Sequence, residues 1–151
     1  GGGGVLDAAA ARYRAENARN VVIEGKDVLF RRFNEYIVAP DASLTARARY
    51  KTMIEQTPYE SLVTFFNTTN FGGSPSLPGA LALPVMLPVG SGDSVVTVQG
   101  AQKLATQLPD AQLVRVEAAG RLLPLEAPAA LNAAVLKFWS DLDARGVAPR
   151  R

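Results

Sequence analysis

The chemistry open to this chain is that of carboxylates, hydroxyls and fixed cations, because its 151 residues include no histidine and no cysteine. Lack of histidine removes the commonest general base near neutral pH and the commonest zinc ligand. Lack of cysteine excludes disulfides, thiolate metal sites and a Cys nucleophile. Two short stretches still have the residue types of a site. The first is Gly90-Ser91-Gly92-Asp93-Ser94-Val95. It half-matches the G-x-G-x-x-G turn of dinucleotide-binding proteins, but Val95 stands where the third glycine belongs. An acid inside a phosphate-binding turn would also repel its ligand. The better reading displays Asp93 at the C-terminal end of a parallel strand, where α/β sheets keep their sites. The second stretch is Ala118-Ala119-Gly120-Arg121, followed by Leu122-Leu123-Pro124-Leu125-Glu126-Ala127-Pro128. Arg121 is cationic at any ordinary pH and cannot take a proton from a nucleophile.

The elements that must position these stretches follow from periodicity. Residues 83–89 form a short apolar run consistent with a buried strand, and 112–117 a second strand with alternation. Pro88 removes a ladder donor, so the first strand is expected to be short, bulged or at an edge. Between them 97–108 has helical spacing, and Pro128 opens a helix with Leu131, Val135, Phe138, Trp139 and Leu142 on one face. Strand, helix, strand, helix with short loops predicts a parallel βαβα unit. Ahead of it, a Gly/Pro/Ser-rich stretch at 71–79 marks a boundary. Everything before that stretch reads as helix. Residues 7–19 are Ala-rich, and 27–38 place Leu29, Phe33, Tyr36 and Ile37 on one face until Pro40 stops them. Ser43 is a candidate N-cap for a helix carrying Leu44, Tyr50, Met53 and Ile54 inward. Thr57-Pro58-Tyr59-Glu60 has the form of a capping box opening a helix to about residue 67, with Tyr59, Leu62, Val63 and Phe66 on its face. Phe33, Tyr36, Phe65 and Phe66 read as an aromatic inner layer.

In order and spacing, the second half resembles the C-terminal end of an α/β-hydrolase. In that family strand seven ends in a G-x-x-D loop bearing the triad acid, matched by Gly90 to Asp93. Strand eight ends in a Gly-His turn, an apolar tetrad and E-x-P opening the last helix, matched by Gly120-Arg121 and Glu126-Ala127-Pro128. The resemblance covers residues 83–142, and the preceding helices resemble the cap that many members insert ahead of strand seven. It implies an α/β fold: a partial α/β-hydrolase-like core with an N-terminal all-helical cap. The expected division is a flexible glycine stretch at 1–4, a cap-like region at 5–79, the core segment at 80–143 and a basic tail at 144–151. Asp93 then takes the triad-acid position and Arg121 the position of the catalytic histidine. A substrate pocket between cap and core would be lined by Tyr36, Tyr59, Phe66, Val95 and Leu122. The G-x-S-x-G elbow is missing from the sequence; Gly72-Gly73-Ser74-Pro75-Ser76 is not one, since it follows no strand.

Three functional readings follow. In the first, this is the cap plus acid/His-loop portion of a hydrolase of a small ester or related bond, competent only with a missing N-terminal half or second chain. In the second, it is a non-catalytic or non-hydrolytic descendant that binds a small ligand between cap and core, with Arg121 free to pair with an anion. In the third, two copies self-associate to complete the sheet. No cofactor and no metal are implied. The net charge of +2 comes from interleaved acids and bases, so nucleic acid is not an expected partner. No apolar run reaches the roughly 18 residues of a membrane span, and no signal peptide is recognisable, so a cytoplasmic protein is expected.

Overall fold

The computed structural model describes residues 3–68 and 83–147. The expected boundary at 71–79, Gly1, Gly2 and the last four residues of the basic tail lie outside them. Four helices come first: α1 (Gly3–Glu24), α2 (Asp27–Ile37), α3 (Leu44–Gln56) and α4 (Tyr59–Thr68). A mixed unit follows: β1 (Val85–Gly90), α5 (Val98–Ala105), β2 (Ala111–Val116), the single turn α6 (Leu123–Glu126) and α7 (Pro128–Ala144). The two strands pair in parallel, with Val85 opposite Ala111 and Gly90 opposite Val116.

The first helix is longer than its Ala-rich stretch predicts and takes in Gly3 and Gly4, expected to be loose. It stops at Gly25, whose φ of +77° is the left-handed closure that glycine adopts without strain. Its N–H returns to the Val21 carbonyl. Ser43 caps α3 as expected, its hydroxyl accepting from Ala46 N–H at 3.1 Å. The far end of α3 is closed by a cation: Lys26 Nζ donates to the Glu55 and Thr57 carbonyls, where the helix dipole is negative. Thr57 faces the same way. Its hydroxyl donates to the Met53 carbonyl at 2.7 Å, so it serves the end of α3, and the Pro58 carbonyl accepts the first α4 N–H groups.

The helical core gathers Ala18, Val21, Val28, Leu29, Val38, Tyr50, Ile54 and Phe66. Phe33 stacks on Phe66 with centroids 6.1 Å apart, and Phe65 meets Phe66 edge-on at 5.3 Å. Several expected inward residues are not inward. On α3 the buried stripe is Ala46, Tyr50 and Ile54, at i, i+4 spacing, which leaves Leu44 86% and Met53 49% exposed. On α2 the inner face is Val28, Leu29, Phe30, Phe33 and Ile37, so the Tyr36 ring turns outward and is 58% exposed. On α7 Leu142 is buried, but Trp139 is 50% exposed.

Pro88 costs β1 nothing in its pairing. Val85 N–H donates to the Asp110 carbonyl and Ser91 N–H to the Val116 carbonyl, so odd-numbered residues face β2. By the two-residue period of a strand, the missing N–H of Pro88 lies on the opposite edge. A smaller core of Val116, Ala119 and Leu123 sits at the C-terminal end of the sheet. Leu122 and Leu125 from the α6 segment pack instead against the helical core, joining the two layers. Away from the site, Arg145 at the end of α7 pairs with Asp110 ahead of β2, holding the Asp110 carboxyl below the usual carboxylate range.

Three backbones meet where β1 and β2 end. A Cβ on Gly90 would lie 2.2 Å from the Ala119 and Gly120 carbonyl oxygens, and one on Gly120 would lie 2.5 Å from Ala39 N. Only hydrogen fits at either point. Gly100, in the first turn of α5, faces only the Thr97 hydroxyl at 3.4 Å.

Two measurements check this packing. Gly90→Ala and Gly120→Ala should each lose about 3 kcal/mol in a denaturant melt, whereas Gly100→Ala should gain about 0.5 kcal/mol. Equal effects at the three sites would show that the loops are not in contact. Burial also pushes the Tyr50 hydroxyl up to about 12. A pKa raised on folding contributes stability that is whole below about pH 10 and is lost as pH rises towards 12. Tyr50→Phe should therefore remove about 1 kcal/mol of the stability lost between pH 9 and 11, read as the difference between the two alkaline melts.

Candidate functional site

The site is built where β1 and β2 end, beneath the turn between α2 and α3. Asp93 is held by its own loop. Its Oδ1 accepts the N–H groups of Val95 at 2.8 Å and Val96 at 2.9 Å, an Asx turn that needs no other element. The carboxylate side chain is 6% exposed. It does not cap α5; Thr97 does that, accepting from Gly100 N–H. The Ser91 hydroxyl accepts from Ala118 N–H, and Gly92 N–H donates to the Ala119 carbonyl, so the β1 and β2 loops are stitched directly together. Ala118 adopts φ +52°, a left-handed kink that turns the chain out of β2 towards Gly120.

Arg121 stands opposite. Its guanidinium is 3.8 Å from Asp93 Oδ2 and 43% exposed, a loose ion pair at the rim of the site. The backbone of Arg121 is held firmly: its N–H donates to the Ile37 carbonyl at 2.9 Å, at the end of α2. The neighbouring N–H groups of Gly120 and Leu122 both donate to the Glu126 carboxylate, at 2.9 and 3.0 Å. The same carboxylate accepts Ala39 N–H at 2.7 Å from across the junction. Arg47 fixes the other side of that turn, donating to the Ala39 and Pro40 carbonyls and to Asn34 Oδ1.

The remaining residues expected at a pocket are scattered. Val95 lies beside Asp93 and is 55% exposed, and Leu122 adjoins Arg121 with its side chain on the helical core. Tyr36 meets the site through its backbone, its carbonyl accepting from the Ser94 hydroxyl at 3.2 Å. Phe66 is buried in the helical core and Tyr59 packs against that core. Two shallow hollows lie elsewhere, one on α4 at Glu60, Ser61, Thr64 and Phe65, the other between α3 and Leu125. Among the described residues no group of three or more acids could hold a metal ion.

Sequence reading missed Glu126 as an organiser. Its signal was an acid closing the apolar run Leu122-Leu123-Pro124-Leu125, a position where a carboxylate needs a reason. What the cluster offers chemically is a fixed carboxylate facing a fixed cation. An acid in this setting can orient and stabilise a cationic partner; the cation can pair with an anion but cannot act as a base.

No protein-family model and no curated protein matches this sequence. Among solved structures, the chain is similar to a thermophilic esterase from Thermogutta terrifontis, solved with malate bound. The TM-score is 0.79 at 21% identity, over 89% of this chain and 51% of the esterase chain. The chain thus spans about half the length of that structure. The likeness is one of fold: a mixed helical and parallel-strand arrangement of the kind found in an esterase.

Proposed function

We propose that this chain is the cap plus acid/His-loop portion of an α/β-hydrolase-type protein, hydrolysing a small ester or related bond once an N-terminal half is supplied. The observation that carries this reading is the pairing of Asp93 and Arg121 at adjacent strand ends, within a fold that matches half of an esterase. Residues 5–79 are the cap and 80–143 the core segment. Asp93 is the triad acid, whose task is to hold an imidazole in the right tautomer and stabilise its cation. Arg121 occupies the imidazole's place and leaves the site without a base. The nucleophile and oxyanion hole come from the half that this chain does not contain.

Physical needs support such a partner. Parallel sheets are ordinarily covered on both faces and wider than two strands. Here the edge of β1 away from β2 carries no described strand, and Val22, Ile23, Leu136 and Trp139 are all at least half exposed. Pairing between two copies of this chain is the alternative way of completing the sheet.

A second reading has one observation of its own. The Arg121 guanidinium is loosely paired and half exposed, which suits a binding protein that takes a carboxylate ligand between cap and core. Malate, with which the similar esterase was solved, is the first probe.

The test joins this chain to a half-chain bearing a Ser elbow, built on the unmatched half of the esterase, and compares native mass and p-nitrophenyl acetate hydrolysis. A one-to-one assembly that is silent with Arg121 and gains at least about 10³-fold with Arg121→His supports the hydrolase reading. Asp93→Asn should then cost about 10³–10⁴-fold of that gain. Assembly without any gain counts against it. Saturable malate binding by the unaltered chain, abolished in Arg121→Ala, would favour the second reading.

A further inference from the structure

We propose that Glu126 is a positioning residue that sets the side chain at 121 and couples its placement to the turn between α2 and α3. The argument begins with where the bonds go. Oε1 of Glu126 accepts Leu122 N–H at 3.0 Å, and Oε2 accepts Gly120 N–H at 2.9 Å. The residues on either side of 121 therefore hang from one carboxylate. The N–H of residue 121 itself is taken by the Ile37 carbonyl at 2.9 Å, at the last residue of α2. Three consecutive amides thus have their acceptors fixed, and the loop has little freedom left to turn residue 121 elsewhere.

The coupling lies in Oε2. It grips Ala39 N–H, at 2.7 Å, together with Gly120 N–H, so the α2–α3 turn and the 120–122 loop share one acceptor atom. The packing permits no slack between them, since a Cβ on Gly120 would strike Ala39 N at 2.5 Å. Arg47 completes the chain of contacts from α3. It holds the Ala39 and Pro40 carbonyls at 2.8 and 2.9 Å, while Glu126 takes the Ala39 N–H. Displacement of the helical block is passed through Ala39 and Glu126 to Gly120 and Leu122, and so to the side chain between them. Glu126 touches no reacting group; it acts through residue 121. The coupling is independent of any reaction, whereas its catalytic consequence rests on the hydrolase reading above.

Amide hydrogen exchange and side-chain NMR on the full chain test it. In Glu126→Gln one carboxylate oxygen becomes an NH₂ donor, and Ala39, Gly120 and Leu122 amides should exchange at least about tenfold faster while Tyr50 and Ile54 in α3 keep their rates. Arg47→Met alters only the helical side, yet should also speed exchange at Gly120 and Leu122 and move the Arg121 Nε–H resonance. Glu126→Asp, which keeps the charge, should restore part of the protection lost in Glu126→Gln. Uniform acceleration along the chain in Glu126→Gln would overturn the proposal. So would an Arg47→Met effect confined to the α2–α3 turn, or an Arg121 resonance that stays put in both variants. If Glu126→Gln does not fold, the Arg47→Met arm decides alone. None of these readouts needs hydrolysis, so a silent Arg121→His assembly would count against the hydrolase reading and not against the coupling.

Discussion

The arrangement depends on one partly buried carboxylate. Glu126 accepts three backbone N–H groups, from Ala39, Gly120 and Leu122. Hydrogen bonds to a charged group contribute about 1.5–3 kcal/mol each, and orphaned amides at such a junction would cost about 1–3 kcal/mol each. The three donors offset the cost of withdrawing the charge from water. They also decide geometry. The Arg121 N–H on the Ile37 carbonyl and the packing of Leu122 and Leu125 on the helical core add to the same approach. Gly120 makes the approach sterically open, and Glu126 makes it favourable.

The same junction joins the two layers through side chains as well. Leu122 and Leu125 flank Glu126 closely in sequence but face the helical core, while Leu123 faces the sheet. A single turn, α6, distributes its leucines to both sides and its acid to the seam. Pro124, placed in the first positions of that turn, favours its start where no amide is needed. The aromatic stack of Phe33 and Phe66 lies deeper and serves cohesion of the helices rather than the site.

What was legible in the sequence was local. An acid directly after the Gly90-Ser91-Gly92 turn builds its own Asx turn, so Asp93 could be placed at a strand end from the stretch 90–95 alone. Ser43 as an N-cap, and the strand–helix–strand order, rest on equally local rules. Misplaced residues have a common cause. Which face of a helix points inward depends on what packs against it, and Tyr36, Met53 and Trp139 lie one step off the stripes that their neighbours bury. Glu126 was hidden for a different reason: its partner Ala39 lies 87 residues away, beyond any periodic signal. Tyr59 and Phe66, expected at a pocket, pack in or against the helical core, since an aromatic on an amphipathic helix is claimed first by the core.

The two charged side chains of the site are placed by independent means, and this bears on how an arginine can stand at 121. Asp93 is oriented through Oδ1 by its own loop, leaving Oδ2 directed at its neighbour without depending on it. Residue 121 is fixed through the backbone, by Ile37 on one side and Glu126 on both flanks. No hydrogen bond that shapes either loop runs through the guanidinium. A 3.8 Å contact with a side chain 43% exposed is worth little to stability, since water screens it. The backbone of both loops is therefore held without help from the Arg121 side chain. An Arg121→His change would therefore alter the charge of the site while leaving in place the hydrogen bonds that shape its two loops.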